Sequence, residues 1–296
     1  MLLAGLAALG AAPASSPAAP ALTPVAAVGA ESQYADVIAA VGGRYVHVSA
    51  VERSPTADPH SFEASPAIAR EVASAGLIVQ NGLGYDAFMN HIEDATSSTS
   101  RRVIDVQALL RLPDSTPNPH LWYAPATMPA VASAVVGALA ARLPSQAAYF
   151  RANAARFDRT LAPWRSALSA FARAHPHTPL AVTEPVADDA LAAAGVRILT
   201  PWSFQADVMN GLDPAPQDVG LEESLLSGRR VRVLLYNEQV TDPLTSSLLA
   251  DARAHHVPVV AVYETMPAGY HYGAWMLAEL RALERAVTTG ASTQRL

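Results

Sequence analysis

Beyond residue 24 the chain alternates short apolar runs with longer segments in which apolar residues recur every three or four positions. Short runs bounded by turn residues are typical of buried strands, and the longer spacing is typical of amphipathic helices. Strands that alternate with helices predict βαβ units and a parallel sheet. We predict strands at residues 25–28, 45–51, 77–80, 102–106, 180–183, 196–199, 231–236 and 257–262.

Helices are predicted between these strands, and several of their ends carry helix-boundary residues. Ser65 stands before Pro66, which suits an N-cap followed by proline at the first helical position. Gly42 and Gly43 end the first helix, as glycine commonly does. The predicted helices span residues 32–41, 66–75, 86–92, 127–142, 144–173, 188–194, 217–226, 243–255 and 274–287.

The helix predicted at residues 144–173 is unusually long. A sustained apolar stripe runs along it, and about 30 residues of helix measure roughly 45 Å. Pro163 lies inside it and removes one backbone donor, so we expect a kink there, and two shorter helices are the alternative. The stripe consists of Phe150, Ala154, Phe157, Leu161, Trp164, Leu168 and Phe171.

These patterns predict an α/β fold with two βα lobes, each containing a parallel sheet, joined by the long helix. A chain of 296 residues is long enough for two domains. We expect a leader-like Ala/Pro/Ser-rich segment at residues 1–22, an N-terminal lobe at 23–143, a bridging helix at 144–178 and a C-terminal lobe at 179–296.

The amino-acid composition limits which metal ligands and which binding partners the chain can have. The chain has no cysteine, so disulfides and thiolate metal sites are excluded, and any metal site must use histidine nitrogen and carboxylate oxygen. Its basic residues are all arginine, and its net charge is −6, which makes it a poor binder of nucleic acid.

The first residues indicate export. Residues 1–12 are apolar and uncharged, and Ala12-Pro13-Ala14 suits a cleavage site, as in a secretory signal. The positively charged front of such a signal is missing, and an unstructured alanine-rich tail is the alternative. No run further along is long and apolar enough for a membrane helix. We expect a secreted, periplasmic or cell-surface protein.

Two similar motifs place a histidine directly after a proline. They are Asp58-Pro59-His60 and Asn118-Pro119-His120. Proline fixes the direction of the chain at the following residue, and neutral imidazole is the commonest metal ligand in proteins. The competing interpretation is that each Pro-His pair only begins a helix. His60 and His120 are therefore candidate metal ligands in the first lobe.

The second lobe offers two carboxylates at strand ends. Glu184 directly follows the strand at 180–183, and Glu264 follows the strand at 257–262 with one residue between. In open parallel sheets ligands sit beyond the carboxyl ends of the strands. Two imidazoles and two carboxylates suit a divalent first-row metal. A helix cap or a solvated acid is the alternative for either glutamate.

Other candidates have weaker claims. Glu63 is close enough in sequence to accept a hydrogen bond from His60, and Glu238 and His271 are outside candidates for the site. Trp122 and Tyr123 are expected to wall the site. Asn118 is expected to cap its own turn, and Gly82-Leu83-Gly84 is read as a turn because no complete phosphate loop follows it.

These motifs resemble the zinc- and manganese-binding solute-binding proteins of ABC importers, over almost the whole chain after the leader. The resemblance implies a rigid bridging helix, metal bound between the lobes, and His60, His120, Glu184 and Glu264 as ligands. Glu184 stands where many zinc importers have histidine, and Glu264 where aspartate is usual. Further matching segments are Leu77–Tyr85, Thr183-Glu184-Pro185, Asp213–Pro216 and Tyr272–Leu280.

The resemblance implies extracytoplasmic capture of one divalent metal by a monomer that delivers it to an ABC permease. Zn²⁺ is favoured over Mn²⁺ by the general order of metal affinities. Binding is expected to weaken below about pH 6, because imidazole must be neutral to bind. A metallohydrolase with Glu63 or Glu238 as general base, and a metal-binding surface adhesin, are the alternatives.

Overall fold

The computed structural model describes residues 23–54, 65–96, 98–240 and 242–296. Residues 1–22, predicted to be a leader-like segment, and the motif that contains His60 and Glu63 lie outside these ranges. Within them, no helix combines the length and apolar character needed to cross a bilayer.

The first sheet has four parallel strands in the order β2-β1-β3-β4. Its strands are β1 (Val25–Glu31), β2 (Val46–Glu52), β3 (Leu77–Gln80) and β4 (Arg102–Asp105). The associated helices are α1 (Ser32–Gly42), α2 (Pro66–Ser74), α3 (Ala87–Ala95), α4 (Val106–Leu110) and α5 (Thr127–Arg142).

The second sheet repeats this arrangement, with four parallel strands in the order β6-β5-β7-β8. Its strands are β5 (Pro179–Val182), β6 (Arg197–Ile198), β7 (Val233–Asn237) and β8 (Val259–Val262). The helices of this half are α7 (Asp188–Ala193), α8 (Trp202–Met209), α9 (Pro216–Ser227), α10 (Pro243–Ala254) and α11 (Tyr272–Thr289).

The long helix α6 (Ala147–Ala174) connects the two halves. It packs against α1 and α5 of the first half and against α7 and α11 of the second. Six of the seven predicted stripe residues are buried, and Ala154 is half-buried. The helix continues through Pro163, so the alternative of two shorter helices is wrong. The kink at Pro163 stays a prediction.

The α/β fold with two lobes and a long connecting helix is therefore confirmed, while the domain boundaries stay predictions. Two helices were not predicted. α4 begins at Val106, the last residue of the strand predicted at 102–106. The Asp105 carboxylate caps this helix by accepting a hydrogen bond from Ala108 N at 2.8 Å. α8 spans only eight residues and has no clear amphipathic period.

Hydrogen bonds join the two halves where the carboxyl ends of their strands meet. Gln33 Nε2, at the start of α1, donates to Glu264 O at 3.1 Å. Ser32 Oγ accepts from Met266 N at 3.1 Å. These contacts place the end of β1 against the segment after β8, which carries one of the predicted metal ligands.

Candidate metal centre

His120 is completely buried and is oriented by Asn118. The side-chain oxygen of Asn118 accepts a hydrogen bond from His120 N at 3.1 Å and lies 2.7 Å from His120 Nδ1. The amide nitrogen of Asn118 donates to Pro185 O at 2.9 Å, across the lobe boundary. Since Asn118 Oδ1 is an acceptor, Nδ1 of His120 carries a proton. Nε2 is then the nitrogen available to a metal.

Glu264 meets this imidazole from the other half of the molecule. It is completely buried, and its Oε2 lies 3.3 Å from His120 Nε2. An unprotonated nitrogen and a carboxylate oxygen are both acceptors, so this approach requires a proton or a cation between them. The geometry thus suits a positively charged ligand at this point.

The Glu264 carboxylate also has two donors of its own. Tyr85 Oη donates to Oε2 at 2.8 Å, and Asn237 Nδ2 donates to Oε1 at 2.5 Å. Its backbone is fixed by Gln239, whose side-chain oxygen accepts from Glu264 N at 2.7 Å and from Thr265 N at 2.8 Å. The carboxylate is therefore held in one orientation from several sides.

One residue, Thr183, separates Glu184 from the end of β5, and Glu184 is buried, with 3% exposure. Its Oε2 accepts from Asn237 Nδ2 at 3.4 Å, so one amide group links Glu184 to Glu264. The backbone of Asn237 is fixed in turn, because Asn237 N donates to Thr183 Oγ1 at 3.2 Å, and its side-chain oxygen accepts from Gln239 N at 3.0 Å. Asn237 ends β7, the strand next to β5.

A turn in the first half presents Tyr85 to Glu264. The Asp86 carboxylate closes this turn by accepting from Asn81 N at 2.6 Å and from Gly82 N at 3.0 Å. Gly82 has φ +82°, and a Cβ on it would lie 2.7 Å from Gln107 Cβ, so glycine is required there. The interpretation of this segment as a turn is confirmed.

Aromatic rings pack around the imidazole. Tyr85 and Trp122 contact it edge to face, with ring centroids 5.8 and 5.5 Å from that of His120. Trp122 thus walls the site as predicted. Tyr123 does not: its hydroxyl lies 2.8 Å from Tyr263 O and 2.8 Å from Glu279 Oε2, behind the site.

The surroundings of the site are rich in buried acids. Burial raises the pKa of Asp86 to about 6 and, on α7, that of Asp188 to about 7. Burial also raises the pKa of Asp189, and the nearby His120 opposes that shift. Burial, with the charges of Asp86 and Glu52, raises the pKa of Glu31 well above its usual range. An environment rich in buried acids favours a positively charged ligand.

Three of the four predicted ligands lie near one another: two are in direct contact, and the third is linked to them by the side-chain amide of Asn237. His120 contacts Glu264, and Glu184 joins them through Asn237, while His60 lies outside the described residues. Among the residues described, no three His, Asp or Glu side chains form a ready metal-binding group. The outside candidates lie elsewhere: Glu238 pairs with Arg295 at 3.3 Å, and the exposed His271 pairs with Asp36 at 2.6 Å.

Sequence reasoning missed Asn237, Tyr85 and Gln239. Asn237 could have been found from its position, since it directly follows the strand predicted at residues 231–236, but an amide is not one of the metal-binding side chains expected at a strand end. Tyr85 and Gln239 carry no comparable signal in the sequence, because their roles depend on contacts with Glu264, 179 and 25 residues away.

Comparison with known proteins supplies the family. Residues 28–286 match the model of the ZnuA family, described as the periplasmic component A of the zinc-uptake complex. The chain belongs to this family. The resemblance inferred from the sequence is thereby confirmed, and with it the predicted class of function, metal binding for an uptake complex. A further match, 37% identical over 71 residues, links it to a Thermotoga maritima protein and spans only 24% of either chain.

Solved structures share the fold of this ZnuA-family chain. The periplasmic zinc-binding protein TroA of Treponema pallidum is 18% identical, with a TM-score of 0.72, over 91% of this chain and 99% of that one. A Mn-bound periplasmic metal-binding protein of Candidatus Liberibacter asiaticus is 16% identical, with a TM-score of 0.70, over 90% and 100%. At such identities the likeness shows the fold.

Proposed function

We propose that this protein binds one divalent transition-metal ion between its lobes, outside the cytoplasm, and delivers it to the permease of an ABC importer. His60 and His120 bind from the first lobe, and Glu184 and Glu264 from the second. The family match supports this proposal, because the family is a periplasmic part of an uptake complex. We propose that it works as a monomer and has no nucleic-acid partner.

The contact between His120 and Glu264 carries the proposal. Two buried acceptor atoms from different lobes lie 3.3 Å apart, an approach that calls for a proton or a cation between them. A metal ion supplies that charge. Bound there, it also holds the two lobes together.

Zinc is the ion we favour, with manganese as the alternative. Imidazole and carboxylate ligands suit Zn²⁺ in four-coordinate sites, and the general affinity order places Zn²⁺ above Mn²⁺. The relatives of known structure include a zinc-binding protein and another protein in Mn-bound and Cd-bound forms, so the fold accommodates more than one divalent ion.

Transport is favoured over the two alternatives. The metallohydrolase hypothesis needs a general base, and Glu238, one of its two candidates, is paired with Arg295. The other candidate, Glu63, lies outside the described residues. A surface adhesin would use the same metal site. Measuring metal uptake by cells that lack the protein distinguishes the two, because only loss of an importer component lowers uptake.

The test is a chelator-competition titration of the purified protein with Zn²⁺ and Mn²⁺. Loss of a buried ligand costs about 2–5 kcal/mol, which is roughly a thirtyfold or larger rise in Kd. His120→Ala and Glu184→Gln are therefore expected to weaken zinc binding at least that much.

Matched controls exist for both variants. His271→Ala removes a histidine that pairs with Asp36, and Glu238→Gln neutralises a glutamate that also follows a strand of the second sheet. Both are expected to bind zinc as the wild type does. The proposal is refuted if the wild type binds neither metal, or if His120→Ala and His271→Ala have equal affinity.

A further inference from the structure

We infer that Glu279 is a positioning residue for the metal site, because it ties the segment that carries His120 to the segment that carries Glu264. Glu279 lies on α11 and is buried, with 6% exposure. Its carboxyl group bonds to Tyr123, Tyr263 N and Trp275, and to none of the three proposed ligands that the structure describes. This inference rests on the proposed function and adds to it a residue outside the ligand set.

On the first side the connection runs through Tyr123. A single 3₁₀ turn, Leu121–Tyr123, follows His120, and Tyr123 N donates to His120 O at 3.1 Å. The Tyr123 hydroxyl lies 2.8 Å from Glu279 Oε2. Because the turn spans three residues, fixing the Tyr123 ring also fixes the backbone from which the His120 imidazole projects.

On the second side the connection runs through Tyr263, the residue before Glu264. Tyr263 N donates to Glu279 Oε1 at 3.2 Å, and Tyr263 O lies 2.8 Å from the Tyr123 hydroxyl. Both backbone polar groups of Tyr263 are therefore held by the Tyr123–Glu279 pair. The chain enters Glu264 with a fixed direction.

Glu279 is itself anchored within α11. Trp275 Nε1, one turn earlier in the same helix, donates to Glu279 Oε1 at 2.7 Å. α11 packs along the connecting helix α6 and against β8. The carboxyl group thus connects both ligand-bearing segments to α11 and, through its packing, to α6.

The number of protons available to these contacts indicates whether the Glu279 carboxyl group is neutral or ionised. The Tyr123 hydroxyl has one proton, yet it lies 2.8 Å from two acceptors, Tyr263 O and Glu279 Oε2. All contacts are satisfied if Tyr123 donates to Tyr263 O and the protonated Oε2 of Glu279 donates to Tyr123 Oη. Burial agrees with this arrangement, since it raises the pKa of Glu279 to about 8.

A neutral carboxyl group has a close mimic in glutamine, and this supplies the test. Glu279→Gln can donate to Tyr123 and accept from Trp275, so it is expected to keep zinc affinity within about threefold of wild type. Glu279→Met has a similar length and no polar atom, and it is expected to weaken zinc binding about 10- to 100-fold. Glu284→Met, on the exposed face of α11, is the control and is expected to bind as wild type.

A second readout separates positioning from general stability. Co²⁺ in place of Zn²⁺ reports ligand geometry through its visible absorption, measured well below the melting temperature. Glu279→Met is expected to change that spectrum, whereas Glu279→Gln and Glu284→Met keep it. A lower melting temperature with wild-type affinity and spectrum would mean that Glu279 only stabilises the fold, and would overturn the inference.

The remaining outcomes are also decisive. If Glu279→Met does not fold, Tyr123→Phe removes one hydroxyl from the same connection and is expected to weaken zinc binding about tenfold. Wild-type affinity in that variant would overturn the inference. If the wild type and Glu284→Met bind no zinc, the proposed function has failed instead, independently of Glu279.

Discussion

Asn237 offers a direct way to perturb the proposed site without removing a ligand. Its amide nitrogen donates to Glu264 Oε1 at 2.5 Å and to Glu184 Oε2 at 3.4 Å, and the residue is buried. Asn237→Leu removes this donor at nearly constant volume. The two carboxylates then lose the group that holds them beside each other.

The expected effect follows from the shorter contact. A hydrogen bond to a charged group contributes about 1.5–3 kcal/mol. Mutation of groups that orient metal ligands typically costs 10- to 100-fold in affinity, which is about 1.4–2.8 kcal/mol. The two ranges overlap, so we expect Asn237→Leu to raise the zinc Kd by that factor.

Chelator-competition titration at fixed pH measures this change. Asn210→Leu is the control, because Asn210 is exposed at the end of α8 and its side chain donates to Ala206 O, away from the proposed ligands. Asn237→Asp provides a second comparison: it keeps the shape but replaces the donor by a third carboxylate, and it is expected to lower the melting temperature of the metal-free protein more than Asn237→Leu does. Wild-type zinc affinity in Asn237→Leu would refute the role assigned to this amide.

Three further predictions concern the scaffold. A Cβ on Gly273 would lie 2.9 Å from Thr160 O, so Gly273→Ala is expected to destabilise the protein by about 1–3 kcal/mol in denaturant unfolding, whereas Gly220→Ala, with open space around it, is expected to be neutral or stabilising. The hydrogen bond to Asp36 raises the pKa of His271, so this contact stabilises the folded protein at low pH, and its contribution is lost as pH rises through the raised pKa. NMR titration of Asp36→Asn is expected to show a lower pKa for His271. An unchanged pKa would contradict the role given to Asp36. Asp242 caps α10 by accepting from Thr245 N at 2.6 Å, so Asp242→Ala is expected to cost about 0.5–2 kcal/mol of unfolding free energy, and an unchanged unfolding midpoint would contradict it.

The sequence predicted the architecture well because periodicity carries most of that information. The stripe on α6 is continuous enough to identify a helix of 28 residues, and the apolar runs of β5, β7 and β8 leave little choice of element. α8 was missed because tertiary contacts, rather than an amphipathic pattern, stabilise its eight residues.

The site was predictable as far as strand ends could identify it. Glu184 and Glu264 were found because a carboxylate that follows a buried strand must lie at the sheet's carboxyl edge. The hydroxyl of Tyr85 and the amide of Gln239 were not predictable in this way. Their partners are distant in the chain, and no local pattern records which polar group will meet a buried carboxylate.

Anomalous X-ray scattering from crystals of the zinc-loaded protein shows whether groups from both lobes bind a single ion. We expect one zinc peak, with His120 Nε2 about 2.0–2.1 Å away and a Glu264 carboxylate oxygen about 2.0–2.2 Å away. A zinc ion bound only by residues of one lobe, or located away from His120 and Glu264, would contradict it.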